Sequence, residues 1–354
     1  MLDLSADAVV LTAALTDVAS ESGAEGMLTD LVEAALRRYP RLSVERDGNV
    51  VLARTEFGRA ARIALAGHLD TVPIAGNLPS RRDGGRLYGC GTSDMKSGVA
   101  VMLRAAHLVG SAAIEPTMDV TWICYDCEEV DAARNGLGRI ARERPEVLAA
   151  DVAVLLEPTA GLVEGGCQGT LRAVVRTTGV RAHSARAWLG RNAIHAAGDV
   201  LRRLEEYRPR TVDVEGLTFR EGLNAVGIHG GIAGNVVPDE CTVTVNYRFA
   251  PDRTPAEAEQ HVRDVFAGYD LEIVDAAPAA RPGLDAPVTQ RVVAAIGGSP
   301  QAKLGWTDVA RFGELGIPAV NFGPGDPELA HTVGEFVEVA RIDAAEAALV
   351  RLLT

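Results

Sequence analysis

Imidazole and carboxylate side chains recur at five separated points of this 354-residue chain, in a set able to close around two divalent cations: His68, Asp94, Glu129, Glu157 and His331. Glu128 stands beside one of them and is placed to act as a base. Ring nitrogen mixed with carboxylate oxygen suits zinc, with cobalt or manganese as replacements. Two such ions ~3.5–4 Å apart polarise an amide carbonyl and lower the pKa of a water they share. The chemistry implied is metal-assisted hydrolysis.

Each residue has its own local setting. In Ala64-Leu-Ala-Gly-His68-Leu-Asp70 an apolar strand ends at Gly67, and the two-residue spacing turns His68 and Asp70 to one side of an extended chain. A metal-bound imidazole needs an acceptor at its other nitrogen, and Asp70 is a candidate; the plainer alternative is a His and an Asp in an ordinary turn. Asp94 precedes a helix, where a carboxylate either bridges cations or caps the helix. Glu128 and Glu129 follow a strand, and adjacent carboxylates there repel unless a cation or solvent stabilises them, exposed loop acids being the alternative. Glu157 ends an apolar strand before Pro158, and His331 lies in a loop rich in glycine and proline, where a solitary histidine is usually just exposed.

The elements that must position these residues alternate. Helical spacing runs over residues 4–39. Strands at 50–53, 62–66, 118–125 and 152–156 then alternate with helices at 97–109 and 136–142, the grammar of a mostly parallel sheet packed on both faces. The candidates fall at strand ends, where an open α/β sheet places its chemistry. Over 171–283 the order becomes strand, helix, two strands, helix, strand: the split-βαβ, ferredoxin-like arrangement. The α/β pattern then resumes. The fold class expected is therefore a mixed, mostly parallel sheet flanked by helices, discontinuous over 1–170 and 284–354, with an inserted α+β domain at 171–283.

Composition narrows the field. Hydrophobic residues make up 47% and charged residues 23%, ordinary for a globular protein. A net charge of -13 excludes a general nucleic-acid binder, because neutralising phosphates needs a basic surface. The five cysteines are odd in number, which favours reduced thiols. Cys124 and Cys127 form a lone CxxC inside a run that reads as strand. No signal-peptide pattern or membrane-spanning apolar stretch is visible, so a cytoplasmic location and no membrane or nucleic-acid partner are expected. His107, His195, His229 and His261 lack acidic motif partners and read as structural or surface residues.

Taken together, GHLDTVP at 67–73, GTSDMKSG at 91–98, CEE at 127–129, LEPT at 156–159 and AHT at 330–332 resemble, end to end, a dinuclear zinc family. That family of peptidases and deacylases includes carboxypeptidase G2-like enzymes, acetylornithine deacetylases and succinyl-diaminopimelate desuccinylases. The resemblance implies two zinc ions per subunit. Asp94 would bridge them, with His68 and Glu157 on one and Glu129 and His331 on the other. Asp70 would orient His68, and Glu128 would be the general base that deprotonates water and returns the proton to the departing amine. It further implies that the inserted domain is a lid that mediates a homodimer. His183 would hold the oxyanion across that interface, while Asn235, Arg248 and Thr307 would bind substrate.

The segment Gly305-Trp-Thr307-Asp308-Val-Ala-Arg311-Phe312 resembles the TSDGRF-like segment of the desuccinylases, departing at Val309, Ala310 and the glycine-rich lead-in. The substrate so implied is N-succinyl-LL-diaminopimelate, hydrolysed to succinate and diaminopimelate on the route to lysine. Acetylornithine deacetylation, or a dipeptidase or aminoacylase activity, is the alternative, and a succinyl group would call for a further cation from Arg172, Arg186 or Arg311. A catalytically silent metal-binding scaffold is the reading from a different class; loss of the base would mark it, and Glu128 is present.

Overall fold

The computed structural model describes residues 2–354, and the chain separates into two compact units. Unit 1 runs to Gly166 and resumes over Pro282–Ala302 and Thr307–Thr354; unit 2 comprises Cys167–Arg281 and Lys303–Trp306. The bounds differ from those read in the sequence for a local reason. The first long strand of unit 2 already begins at Gly169, and Trp306 donates its indole N–H to the Pro278 carbonyl at 3.1 Å, inside unit 2.

Unit 1 opens with helices α1 (Ala8–Thr16) and α2 (Gly26–Leu36), then strands β1 (Ser43–Asp47), β2 (Val50–Arg54), β3 (Arg62–His68), β4 (Arg81–Asp83) and β5 (Arg86–Tyr88). Helix α3 (Ser97–Gly110), β6 (Asp119–Tyr125), α4 (Gly136–Glu143), β7 (Val152–Leu155) and β8 (Glu164–Gly165) follow. Helical spacing over residues 4–39 is thus two helices rather than one. The break falls at a turn where Gly23 takes a φ of +92°, which L side chains avoid. That turn carries Ser22 to Asp70, 2.7 Å from Oδ2.

Unit 2 contains β9 (Gly169–Thr178), β10 (Ala182–His183), α5 (Ala193–Glu206), β11 (Thr211–Val214), β12 (Leu217–Arg220), β13 (Gly222–Gly230), β14 (Val236–Val237), β15 (Glu240–Phe249), α6 (Pro255–Val265) and β16 (Asp270–Ala277). Its four-stranded sheet has the order β13-β15-β9-β16, antiparallel throughout. Leu171, Ala173 and Val175 of β9 and Val243, Val245 and Tyr247 of β15 are buried with Ala197, Val200, Ala258 and Val262 of the two helices. Alternation along each strand therefore buries one face under α5 and α6. The βαββαβ order holds, decorated by the β11–β12 hairpin and the β10–β14 pair.

The chain ends in unit 1 with α7 (Pro287–Ile296), β17 (Gln301–Ala302), α8 (Val309–Glu314), β18 (Ala319–Asn321), β19 (Phe336–Glu338) and α9 (Val339–Leu353). The main sheet is eight-stranded, β1-β2-β6-β3-β7-β18-β8-β17, and β6, β3, β7 and β18 are mutually parallel. Every residue of β6 and β7 is buried, as strands covered on both faces require. This is the mixed, mostly parallel sheet flanked by helices that the sequence predicts.

Candidate metal centre

His68 ends β3, Glu128 and Glu129 follow β6, and Glu157 follows β7, so neighbouring parallel strands deliver four candidates at the same sheet edge. Asp94 comes from the turn before α3. That helix begins after Lys96, with no side-chain cap, so Asp94 is not its cap. Instead its carboxylate lies between two imidazoles, Oδ1 3.2 Å from His68 Nε2 and Oδ2 3.4 Å from His331 Nε2. His331 Nε2 is also 2.9 Å from Glu129 Oε1. Close approach of backbone makes this possible: a Cβ on Gly98 would lie 2.1 Å from the Leu156 carbonyl oxygen, so only glycine lets α3 start against the end of β7.

Donor atoms of His68, Asp94 and Glu157 lie within 4.8 Å of one another, and so do those of Asp94, Glu129 and His331. The two groups share Asp94. His68, Glu128 and Glu129 form a third such group, which places Glu128 beside both. Among the described residues no hydrogen bond holds the Glu128 carboxylate.

Asp70 is fully buried, and its role is broader than its spacing predicts. Its backbone carbonyl takes the short contact with His68 Nδ1, 3.0 Å, while its Oδ1 stands 3.5 Å from that nitrogen. The carboxylate accepts from the Glu128 and Glu129 amides, each at 3.1 Å, and from Ser22 Oγ. One residue thus fixes both the imidazole and the acidic loop.

Electrostatics show which charge the cluster favours. Burial pushes the Glu128 carboxyl well above its usual range; His68 opposes this, while Glu157, Asp308 and Glu129 add to it. Burial disfavours charge on His68, yet Asp70 and Asp94 raise it well above the ordinary histidine value. Asp94 and Glu129 together lift His331 to about 10. Two imidazoles are thereby driven toward the cationic form by a surplus of carboxylates. Positive charge is what the centre calls for, and its nitrogen and oxygen donors fit a zinc-type cation.

The remaining candidates fall elsewhere. The Thr307 hydroxyl, buried, donates to Asn321 Oδ1 at 2.8 Å, and Arg311 is ion-paired with Asp308 and Glu314. In unit 2, His183 is exposed, with Nδ1 accepting from the Ala185 amide, and Asn235 accepts at its carbonyl from the Ser184 amide. Arg248 lines a different feature, a cavity of about 540 Å³ shared with Thr170, Arg172, Asn246, Asp275 and Trp306. Arg172 pairs there with Asp275 at 3.2 Å. His107 and His261 are held by the hydroxyls of Tyr39 and Tyr207, each at 2.8 Å. Cys124 and Cys127 are buried free thiols that burial pushes up to about 12. Ser22 and Glu335 are site-supporting residues that sequence reasoning missed.

An α/β sheet presenting two histidine-carboxylate groups around a shared aspartate, with a free glutamate beside them, defines a metal-dependent hydrolase. Peptidase family M20/M25/M40 matches residues 64–354, and the chain belongs to that family. It is 60% identical, over all of this chain and 99% of the relative, to a Mycobacterium tuberculosis (strain ATCC 25618 / H37Rv) protein provisionally named succinyl-diaminopimelate desuccinylase DapE. It is 48% identical, over all of this chain and 98% of the relative, to the succinyl-diaminopimelate desuccinylase of Corynebacterium glutamicum. Among solved structures it resembles the Bacillus subtilis YXEP protein, described as a dinuclear metal-binding peptidase of the M20 family. The TM-score is 0.69 and the identity 17%, over 98% of this chain and 96% of that one. Among the described residues no helix is long and apolar enough to cross a membrane.

Proposed function

We propose that this chain hydrolyses N-succinyl-LL-diaminopimelate to succinate and LL-diaminopimelate, with two zinc ions held by His68, Asp94, Glu129, Glu157 and His331. The observation that carries the reading is the pair of donor groups sharing Asp94. The substrate follows from what the two full-length relatives are named for. Bound there, the metals supply a Lewis acid for the amide carbonyl and an acidified water. The protein does the rest: Asp70 fixes the His68 ring and the acidic loop, and Glu128 takes the proton from water and gives it to the departing amine. A general base must be free to change partners, and Glu128 is tied to none.

The test is turnover of zinc-loaded protein on succinyl-diaminopimelate, acetylornithine and dipeptides. Preference for the succinyl substrate is expected; faster turnover of acetylornithine moves the assignment to deacetylation, and no amide hydrolysis at all sinks the enzyme reading.

A homodimer through unit 2 belongs to the same proposal. Edge strand β13 exposes Val226 and Ile228, and Ile194 and Leu201 of α5 are exposed too, an apolar edge that a second copy would cover. Arg248 pairs with Thr170 at the start of β9, whereas His183 lies beyond its other end at Thr178, roughly 25 Å of strand away. One copy cannot bring both to a single small substrate. Assigning His183 to the partner's site accommodates them both, and sedimentation of Ile228→Lys as a monomer with depressed turnover would support it.

A further inference from the structure

Glu335 lies four residues beyond His331, is almost fully buried, and directs its carboxylate at backbone rather than at any side chain. Oε2 accepts from the Gly91 amide at 2.9 Å, and Oε1 accepts from the amides of Ser93 at 2.7 Å and Asp94 at 3.0 Å. Its own carbonyl accepts from Gly89 at 3.1 Å. Gly91 has a φ of +81°, which lets the turn curl its N–H groups inward around the carboxylate. Converging amides of this kind form an anion-binding nest. Here the group that fills the nest is a side-chain carboxyl of the same protein.

The two segments joined this way are those that carry Asp94 and His331. They touch again where Ser93 Oγ donates to the Asp326 carbonyl at 3.1 Å, and accepts from the Asp326 amide at 2.6 Å. The short antiparallel pairing of Phe336 with Tyr88 extends the same contact. Like Asp70, which grips the Glu128–Glu129 amides, Glu335 has both oxygens filled by main chain from another segment, here the one that carries Asp94. It has no place among the metal donors, and nothing in its own sequence context marks it.

We propose that Glu335 is a positioning residue, a carboxyl clasp that fixes the Asp94 turn against the His331 segment and so sets the spacing between those two donors. The inference rests on the metal-centre reading above. Replacing one oxygen with an N–H, as in Glu335→Gln, points a donor at donors and releases at least one of the three amides. Partners that orient metal ligands are typically worth ~10–100-fold in metal affinity or activity.

The test is zinc titration of apo-protein against a chelating competitor, for the wild type, Glu335→Gln and Glu335→Asp, followed by kinetics at saturating zinc. Glu335→Gln should lose ~10–100-fold in zinc affinity and show its defect in kcat with KM little changed. Glu335→Asp, which keeps the carboxyl but is one carbon short, should fall between. Because a variant could misfold, amide exchange in the metal-free wild type is a second measure: the 89–96 segment should be protected without any ion present. Wild-type zinc affinity and kcat in Glu335→Gln, or free exchange across 89–96 in the apo-protein, overturns the clasp and leaves the metal centre standing. A wild type that binds no zinc overturns both.

Discussion

Glu128 and Glu221 are both carboxylates in crowded surroundings, and their neighbours give them opposite tasks. Glu128 has no hydrogen bond to commit it, so Glu128→Gln should keep full metal content, measured by elemental analysis, while turnover falls by at least ~10²-fold. Wild-type turnover in that variant would remove it as the base. Glu221, buried in unit 2, accepts from Arg210 Nη2 at 2.7 Å, Tyr247 Oη at 3.0 Å and the Ala250 amide at 3.1 Å. Burial pushes its carboxyl up, but these bonds outweigh burial and hold it below the usual range. A depressed folded pKa gives stability that is present above the unfolded value and is lost as pH falls through the folded one. Glu221→Gln should therefore be less stable at neutral pH, with the gap to wild type closing in acid; equal slopes of denaturation midpoint against pH would contradict this. The metal-ligand candidates were legible in sequence because each sits in a short contiguous motif. Glu335 and Ser22 were not, because what they do is bond partners far along the chain, and no local pattern records such a contact.

At the scale of elements, sequence periodicity located the buried strands β3, β6 and β7 and both helices of unit 2. It ran α1 and α2 together, since helical spacing of apolar residues does not show the turn at Gly23 that separates them. Nor does it distinguish a glycine that merely bends the chain from one that lets two elements touch. Gly98 is of the second kind. Gly98→Ala forces a carbon into the Leu156 backbone, and a loss of ~1–3 kcal/mol or more is expected, with reduced turnover because α3 follows the Asp94 turn. Gly198, in the middle of α5, has nothing within 4 Å of its absent Cβ. In the isolated subunit Gly198→Ala should instead stabilise by up to ~1 kcal/mol, a gain that the proposed dimer would offset because Gly198 shares the α5 face of Ile194 and Leu201. Chemical denaturation of the two variants decides the matter: stabilisation by both would show that helix propensity outweighs contact at both sites, and destabilisation by both that Gly198 too is in contact.

For the molecule as a whole, the surplus of carboxylates at the centre makes folding and metal loading linked events. Adding zinc at ~100 times its Kd should stabilise the protein by about 2.7 kcal/mol per independent site. Chelation should abolish turnover and lower Tm together, and zinc should restore both; a Tm indifferent to chelator would show that protons on His68 and His331 balance the charge well enough alone. The class of the fold was readable from alternating element types. The excursion of residues 303–306 was not, because four residues without periodicity carry no signature of the unit they join.

That excursion bears on how the molecule can be recombined. Lys303–Trp306 belongs to unit 2 although more than twenty residues of unit 1 separate it from the rest. The polypeptide therefore passes between its halves four times instead of twice, and unit 2 is not a cassette bounded by one entry and one exit. A chimera that transplants only 167–281 from a relative would seat the newcomer's Pro278 carbonyl against the host's Trp306. Grafts of unit 2 between homologues should carry both stretches, and parents that differ at Trp306 are where single-segment exchange should fail first.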